Sequence, residues 1–345
     1  MKKLVGLLIV LFVAALAGGG AYILYQRAYE PYQGYQSERI LEIAPGAGTN
    51  AIGRSLISGG VVRDDLTFRV ALWLSGSARR LQAGEYRFDR PMSALDVIGK
   101  IARGEVDLRP ITFPEGLTVA EMAKVFAASG MGTAQAFIDA ANDGSLIRDL
   151  DPAARDLEGF LFPDTYAFPR RADAASVVHV MVDRFHKVLS DDLKAAASAR
   201  GLTIRQLVTL ASLVEKETAK PEERPIVSAV YANRLRIGMA LQCDPTVIYA
   251  LQKAGKYDGN LRRDDLAFDS PYNTYRYPGL PPGPIAAPGK GALEGAAHPS
   301  DVDYVYFVSR NDGSHEFART LDEHNQNVRK FQVEYFREKR LAGRR

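Results

Sequence analysis

The chain is 345 residues long and 46% hydrophobic, enough for two folded units of roughly 100–200 residues each. Lys and Arg number 44 against 41 Asp and Glu, a near balance without the concentrated basic face of a nucleic-acid binder. A single cysteine, Cys243, rules out an internal disulfide framework.

Met1-Lys2-Lys3 is followed by an uncharged run from Leu4 to Tyr25. About 20 apolar residues cross a bilayer, so residues 1–27 are predicted to be a cytoplasmic stub and a transmembrane anchor. A secretory leader has a shorter apolar core, roughly 7–15 residues. Ala15-Leu16-Ala17 offers a cleavage site, so removal of the segment is the competing reading. Lys2 and Lys3 favour a cytoplasmic N-terminus. That predicts a single-pass protein of the inner membrane, with everything after Arg27 on the extracytoplasmic, periplasmic side.

Residues 28–37 are polar and aromatic, with Pro31 and Gly34, and are expected to form a stalk. Ile43-Ala44-Pro45-Gly46 precedes apolar residues Ile52 and Leu56. Phe113-Pro114-Glu115-Gly116 likewise precedes Met122, Ala123 and Phe126. Each segment reads as a short strand, a Pro/Gly turn and an amphipathic helix. Between them, Leu81 to Phe88 alternates like a strand, and Ser93 caps a helix carrying Leu95, Val97, Ile98 and Ile101. These units resemble LysM-type glycan-binding modules, which predicts a small LysM-like α+β subdomain over 38–108. Ordinary packing of two such units is the plainer reading.

From residue 109 to 340 the pattern predicts a larger α+β domain. Val177–Leu189 and Thr203–Lys216 read as helices, and Tyr304–Val308 reads as a buried strand. Asn311-Asp312-Gly313 turns the chain toward a returning strand at His315–Phe317. The tail from Asn325 to Arg340 reads as a helix with Val328, Phe331 and Tyr335 on one face.

Leu210-Ala211-Ser212-Leu213-Val214-Glu215-Lys216-Glu217-Thr218 is the richest stretch for chemistry. Glu215 and Glu217 project about 200° apart on a helix, so they cannot both face one pocket. Each flanks the apolar arc of Leu207, Leu210, Ala211 and Val214, and periodicity does not choose between them. A carboxyl at such an edge is partly desolvated, which raises its pKa and suits a general acid. Two surface charges at a helix end would carry the same pattern.

The company of this helix narrows the choice. Tyr231-Ala232-Asn233-Arg234-Leu235 follows it, then Gly238 to Tyr249 with Gln242-Cys243-Asp244-Pro245-Thr246 at its centre. Tyr272-Asn273-Thr274-Tyr275, Gly279 to Ile285 and Ala296-Ala297-His298-Pro299 come next, and Glu158 to Tyr166 lies upstream. In order and spacing these stretches resemble the YceG-like endolytic murein transglycosylase family. The resemblance extends over nearly the whole chain and is weakest before residue 80.

It implies an endolytic, peptidoglycan-cleaving lytic transglycosylase whose catalytic acid is Glu217, the second glutamate of Glu-Lys-Glu-Thr. Such an enzyme needs one carboxyl and leaves 1,6-anhydro-N-acetylmuramic acid ends. The implied partners are peptidoglycan glycan strands, peptidoglycan synthases and, through the N-terminal helix, the membrane, with no nucleic acid. Cys243 departs from the family, which often has Thr there, and is expected to do no chemistry.

Supporting residues divide between substrate contact and structure. Tyr272, Asn273 and Tyr275 offer ring faces and polar handles suited to sugars, or else form a packed loop. Thr246 and Thr274, in the same matching stretches, are grouped with them as substrate-binding. Asp244 either bonds substrate or acts as a second carboxylate, but its favoured role is capping the helix that begins at Pro245 or Thr246. His298 either orders the site or satisfies a core hydrogen bond. The histidines lack metal-ligand spacing and no Gly-rich phosphate loop is present, so no metal and no cofactor are expected. Two rival readings stand on the same residues. One is a glycan hydrolase with Asp244 as base; the other is a non-catalytic wall-binding scaffold.

Overall fold

The computed structural model of the protein describes residues 2–342. The chain divides into two compact α+β units. The first takes the chain up to Arg109 together with Ala167–Arg170, and the second takes Pro110–Tyr166 and continues from Arg171.

The first unit begins with α1 (Lys2–Tyr29), an unbroken helix. Among the described residues it is the one helix long and apolar enough to cross a membrane. β1 (Arg39–Ile43), α2 (Thr49–Ser58), α3 (Asp65–Ser75), β2 (Gly84–Phe88) and α4 (Ala94–Ala102) follow. β1 and β2 pair antiparallel, from Arg39 opposite Phe88 to Ile43 opposite Gly84.

Local chemistry sets these boundaries. The Asp64 side chain accepts from the Thr67 N–H at the start of α3, and Gly76, left-handed at φ 59°, ends it. The predicted Ser93 cap accepts from the Asp96 N–H. The core gathers Ile43, Leu56, Phe68, Tyr86, Phe88, Val97, Ile98 and Ile101. Each large apolar side chain buried there contributes roughly 1.5–3 kcal/mol.

Residues 28–37 are not a free stalk. Ala28 and Tyr35 are buried in this core, and Tyr32 exchanges backbone hydrogen bonds with Met92. The polar composition misled because the aromatic rings, not the polar groups, decide the packing. Helix α3 had no counterpart in the sequence reading; Trp73 and Leu66 interrupt its polar face.

The strands β3 (Leu108–Thr112) and β4 (Thr165–Pro169) each run across the division of the chain, and the second unit holds α5 (Val119–Ala128), α6 (Ala134–Ala141), α7 (Ala174–Val188) and α8 (Asp191–Ala199). It continues through α9 (Ile204–Glu217), α10 (Arg224–Arg236), α11 (Asp244–Lys253) and α12 (Lys290–Ala297). β3 pairs with β4. β5 (Tyr306–Ser309) and β6 (His315–Ala318) form an antiparallel hairpin with Phe307 opposite Phe317. Its turn uses left-handed Asn311 and Gly313, as the turn residues predicted.

β5 is half-buried along its length rather than buried, with Tyr306 stacked on His324 and Phe307 edge-on to Tyr231. The C-terminal helix starts earlier than expected, at α13 (Leu321–Val328), where Thr320 and Glu323 form a capping box. It runs through a π-helical stretch, Arg329–Glu334, into α14 (Tyr335–Ala342). Asn311 donates to the Phe331 carbonyl and Gln332 to the Ser309 carbonyl beside that stretch, which ties the irregular turn to the hairpin.

Candidate active site

The site grows from α9. Thr203 and Gln206 form a capping box at its start. Every residue from Leu207 to Val214 is then buried, as expected of a helix enclosed on all sides. It packs against α10 and α12. The only polar departures inside are satisfied: Thr209 donates to the Arg205 carbonyl, and Ser212 to the Thr209 carbonyl while accepting from the Ile285 N–H. The helix stops at Glu217 because Thr218 turns extended, with φ −137° and ψ 132°. A rigid, buried rod thus delivers its last carboxyls to fixed places.

Glu217 Oε1 accepts a hydrogen bond of 2.6 Å from the Tyr231 hydroxyl on α10. Tyr231 is buried, with its ring edge-on to Phe307 at 6.1 Å. The Cys243 thiol is a second hydrogen-bonding neighbour of the carboxyl. Burial drives the Glu217 pKa above the ordinary carboxylate range, and the nearby charge of Asp244 pushes the same way. The Tyr231 hydroxyl, the Cys243 thiol and the more distant His315 pull against that shift. Burial, with the charge of Glu217 beside them, also raises the phenol and the thiol well above their ordinary values. Both therefore keep their protons and act as neutral donors.

Glu215 has a different setting. Its carboxylate meets the Arg224 guanidinium at 3.4 Å and accepts from the Gly289 N–H at 3.1 Å. A β-carbon on Gly289 would meet the Glu115 carboxyl, which would have to swing aside. Burial raises the Glu215 pKa, while the Gly289 N–H and Arg224 oppose the rise. The two glutamates do face opposite ways.

Around the end of α9 a second layer fixes the chain. Thr218, 2% exposed, donates to Glu223 Oε2 at 2.9 Å. His315 on β6 meets the same carboxylate through Nδ1 at 2.7 Å, and its backbone N–H donates to Oε1 at 2.8 Å. Burial alone would raise Glu223, but these donors outweigh it and hold the carboxyl below its usual range.

The chain from Pro110 onward thus carries a protonatable carboxyl at the half-exposed end of a buried helix, framed by tyrosine, thiol and a carboxylate–histidine pair. Residues 41–330 match the model of the YceG-like family. This chain belongs to the YceG-like family. It is 31% identical over 330 positions to the endolytic murein transglycosylase of Bacillus subtilis, covering 91% of this chain and 90% of that protein. The endolytic murein transglycosylase of Streptococcus pneumoniae strain D39 is 31% identical over 351 positions, which cover 92% of this chain and 63% of that longer protein. A crystal structure of a YceG-like protein from Listeria monocytogenes aligns with a TM-score of 0.57 at 28% identity. That alignment covers 85% of this chain and 99% of the other.

In this YceG-like chain the remaining sequence-predicted residues separate into two groups. Asp244 and Tyr275 reach the site surface. Asp244 is exposed at the first residue of α11, and its Oδ1 accepts from the Tyr275 hydroxyl at 2.5 Å. The favoured capping role of Asp244 is overturned: the start of α11 has no side-chain cap, and the Asp244 carboxylate is turned outward to the Tyr275 hydroxyl instead of the helix N–H groups.

Thr246, Asn273 and Thr274 are at most 1% exposed, so the expectation that they contact substrate is corrected. Thr274 Oγ1 accepts from the Cys243 N–H at 3.0 Å and meets Thr246 Oγ1 at 2.9 Å. Asn273 donates to the Leu266 and Phe268 carbonyls and accepts from the Tyr275 N–H. Their side-chain polar atoms are spent on holding Cys243, Tyr275 and the Leu266–Phe268 turn in place. Tyr272 is half-buried against Tyr249, with ring centroids 4.9 Å apart. Of the Pro281–Pro284 run, Pro282 is exposed and Pro284 packs against Gly159. His298 pairs with Asp192 at the surface and takes neither of its predicted roles.

Tyr231 and Cys243 are the partners that sequence reasoning missed. Tyr231 lay in a matching stretch without a role, and Cys243 was expected to be inert. No periodicity marks either one, because the contact joins α9, α10 and the approach to α11.

A second enclosed carboxyl lies elsewhere in this unit. Glu158 accepts from the Val119 N–H at the start of α5 and from the Tyr249 hydroxyl at 3.3 Å. Burial raises its pKa to about 7. It sits in a cavity of about 560 Å³ that Tyr249 and Lys253 also line. Tyr249 follows Asp244 by five residues on α11, or about 7.5 Å of helix.

Proposed function

We propose that this protein is an endolytic lytic transglycosylase that cuts peptidoglycan glycan strands with Glu217 as its one catalytic carboxyl. The observation that carries the reading is the setting of Glu217: a half-buried carboxyl hydrogen-bonded by neutral donors, protonated further up the pH scale than an ordinary glutamate. The relatives named as endolytic murein transglycosylases supply the substrate class.

Glu217 would donate its proton to the glycosidic oxygen as the bond from N-acetylmuramic acid C1 breaks. The departing N-acetylglucosamine keeps that proton as a hydroxyl. The Glu217 carboxylate then takes the proton of the C6 hydroxyl on the muramic acid, and O6 closes on C1. The 1,6-anhydro ring forms, the carboxylic acid is restored and no water is consumed. Tyr231 and Cys243 suit both halves of this cycle, since a neutral donor accommodates the carboxylate without fixing it as strongly as a cation would. Asp244, exposed and bonded by Tyr275, is the group best placed to hold a sugar hydroxyl.

The reading extends to placement. α1 is proposed as an uncleaved anchor in the cytoplasmic membrane, with Lys2 and Lys3 on the inner side and the rest of the chain outside. Residues 38–108 are proposed to bind glycan as a LysM-like subdomain, ahead of a catalytic domain over 109–340. Synthases working on the same nascent strands are the proposed partners.

Asp244 also sustains a second reading, in which it activates water for a hydrolase. Mass spectrometry of peptidoglycan digested by the wild type and by Glu217→Gln separates the two. Products ending in 1,6-anhydro-N-acetylmuramic acid from the wild type alone are expected. Free reducing ends would replace the proposal with a hydrolase. Equal products, or none, from both proteins would remove Glu217 from any catalytic role.

A further inference from the structure

Helix α3 carries two apolar stripes. The inner one, Thr67, Phe68 and Ala71, is buried in the first unit. The outer one is Leu66, Val70, Trp73 and Leu74, spaced i, i+4, i+7 and i+8 along one face. Its two ends stand open, Leu66 60% exposed and Trp73 80%, while Val70 and Leu74 are half-buried against the core. An exposed apolar stripe of this kind marks an interaction surface.

The neighbour of this stripe is α1. Tyr22, Leu24 and Tyr25 of α1 and Val70, Trp73 and Leu74 of α3 line an apolar groove of about 500 Å³. From Leu4 to Tyr22 the helix rises about 27 Å, close to the hydrocarbon thickness of about 30 Å. The groove therefore begins where the span of α1 would leave the hydrocarbon. Trp and Tyr concentrate at that level in membrane proteins. Along α1 charged pairs lie beyond it, with Arg27 and Asp64 3.8 Å apart and Arg63 and Glu30 at 3.2 Å, and on α3 itself Arg69 pairs with Asp65 at 2.7 Å.

We propose that the outer stripe of α3 lies in the headgroup layer of the bilayer that α1 crosses, with Trp73 as its anchor. The occupant is lipid rather than another protein, because the lipid-facing surface of α1 continues without a break into the groove. α1 has no interruption between Lys2 and Tyr29, and Ala28 in its last turn is fully buried in the core of the first unit. The first unit is thus rigidly coupled to the span and cannot lift its stripe out of the interface. This inference rests on the proposal that α1 is a retained anchor.

Trp73 is the only tryptophan in the chain, so its fluorescence reports on this surface directly. The full chain would be reconstituted into phosphatidylglycerol/phosphatidylethanolamine vesicles and floated through a density gradient to read the anchor. Emission would then be recorded with phospholipids brominated at shallow or deep acyl positions, and with aqueous iodide. The expected result is flotation, blue-shifted emission, stronger quenching by shallow than by deep bromines, and little quenching by iodide. A floated chain whose emission is that of water-exposed indole, quenched by iodide and not by bromolipid, overturns this inference and leaves the anchor standing. Failure to float overturns both. A second protein, Trp73→Phe with Leu66→Trp, moves the probe one turn past the far end of the groove, toward the Arg27–Asp64 pair, and it is expected to show weaker quenching by bromolipid than Trp73 does.

Discussion

At the end of α9 two glutamates leave the same helix on opposite sides and meet different chemistry. On one side Glu215 is met by a guanidinium and a backbone N–H, with 8% of its side chain exposed. On the other, Glu217 is met by a phenol and a thiol. Burial raises both pKa values, so burial does not distinguish them. The partner does. A cation commits a carboxyl to its charged form and makes it a strut between α9, α10 and the turn before α12. Neutral donors leave a carboxyl able to gain and lose a proton.

Exchanging the carboxyls for amides tests the contrast most severely. Glu217→Gln should lower the rate of anhydro-end formation by about 10²–10⁴-fold, the usual worth of a general acid, with an unchanged thermal midpoint. Glu215→Gln should keep most of the rate once folded. The reverse pattern in two folded proteins would exchange the roles assigned to the two sides.

The next largest effect is on stability. Arg224→Met leaves Glu215 enclosed without its cation, which costs about 3 kcal/mol when a buried pair is broken from one side. Urea unfolding should show that loss, and adding Glu215→Gln to Arg224→Met should recover much of it. No loss would mean that the Gly289 N–H alone carries the Glu215 side.

Tyr231→Phe should have a smaller effect, about tenfold on rate, since a hydrogen bond to a charged group is worth about 1.5–3 kcal/mol. Its sign is more informative. The Tyr231 hydroxyl favours the carboxylate, so its removal raises the Glu217 pKa further. The acid then stays protonated to higher pH, and the alkaline limb of the kcat/KM profile should move up. A move down would contradict the donor role of Tyr231.

The smallest effect concerns Glu158, whose folded pKa of about 7 lies above that of an unfolded glutamate. Stability from this group is fully present below about pH 4.3 and is lost as pH rises through 7. Glu158→Gln should therefore be neutral in acid and stabilising by about 1 kcal/mol at pH 8, a figure discounted because part of the residue is exposed. Equal midpoints for both proteins at pH 8 would show that the Val119 N–H and Tyr249 already offset the burial.

What the sequence determined by itself was mostly local. Ser93 and the Asn311–Gly313 turn were legible because capping and turn chemistry act within a few residues of chain. The apolar span of α1 and the opposition of Glu215 and Glu217 were legible because helical geometry fixes length and angle. Glu217 itself was singled out by resemblance to a family, not by periodicity. The tertiary structure decided which side of α9 is cationic and which is neutral, because Arg224, Gly289, Tyr231 and Cys243 come from distant stretches. It also turned Thr246, Asn273 and Thr274 inward, set Asp244 at the surface and drew Ala28 and Tyr35 into a core. A polar side chain reads alike in sequence whether it faces a sugar or a backbone carbonyl; only the burial of its atoms separates the two.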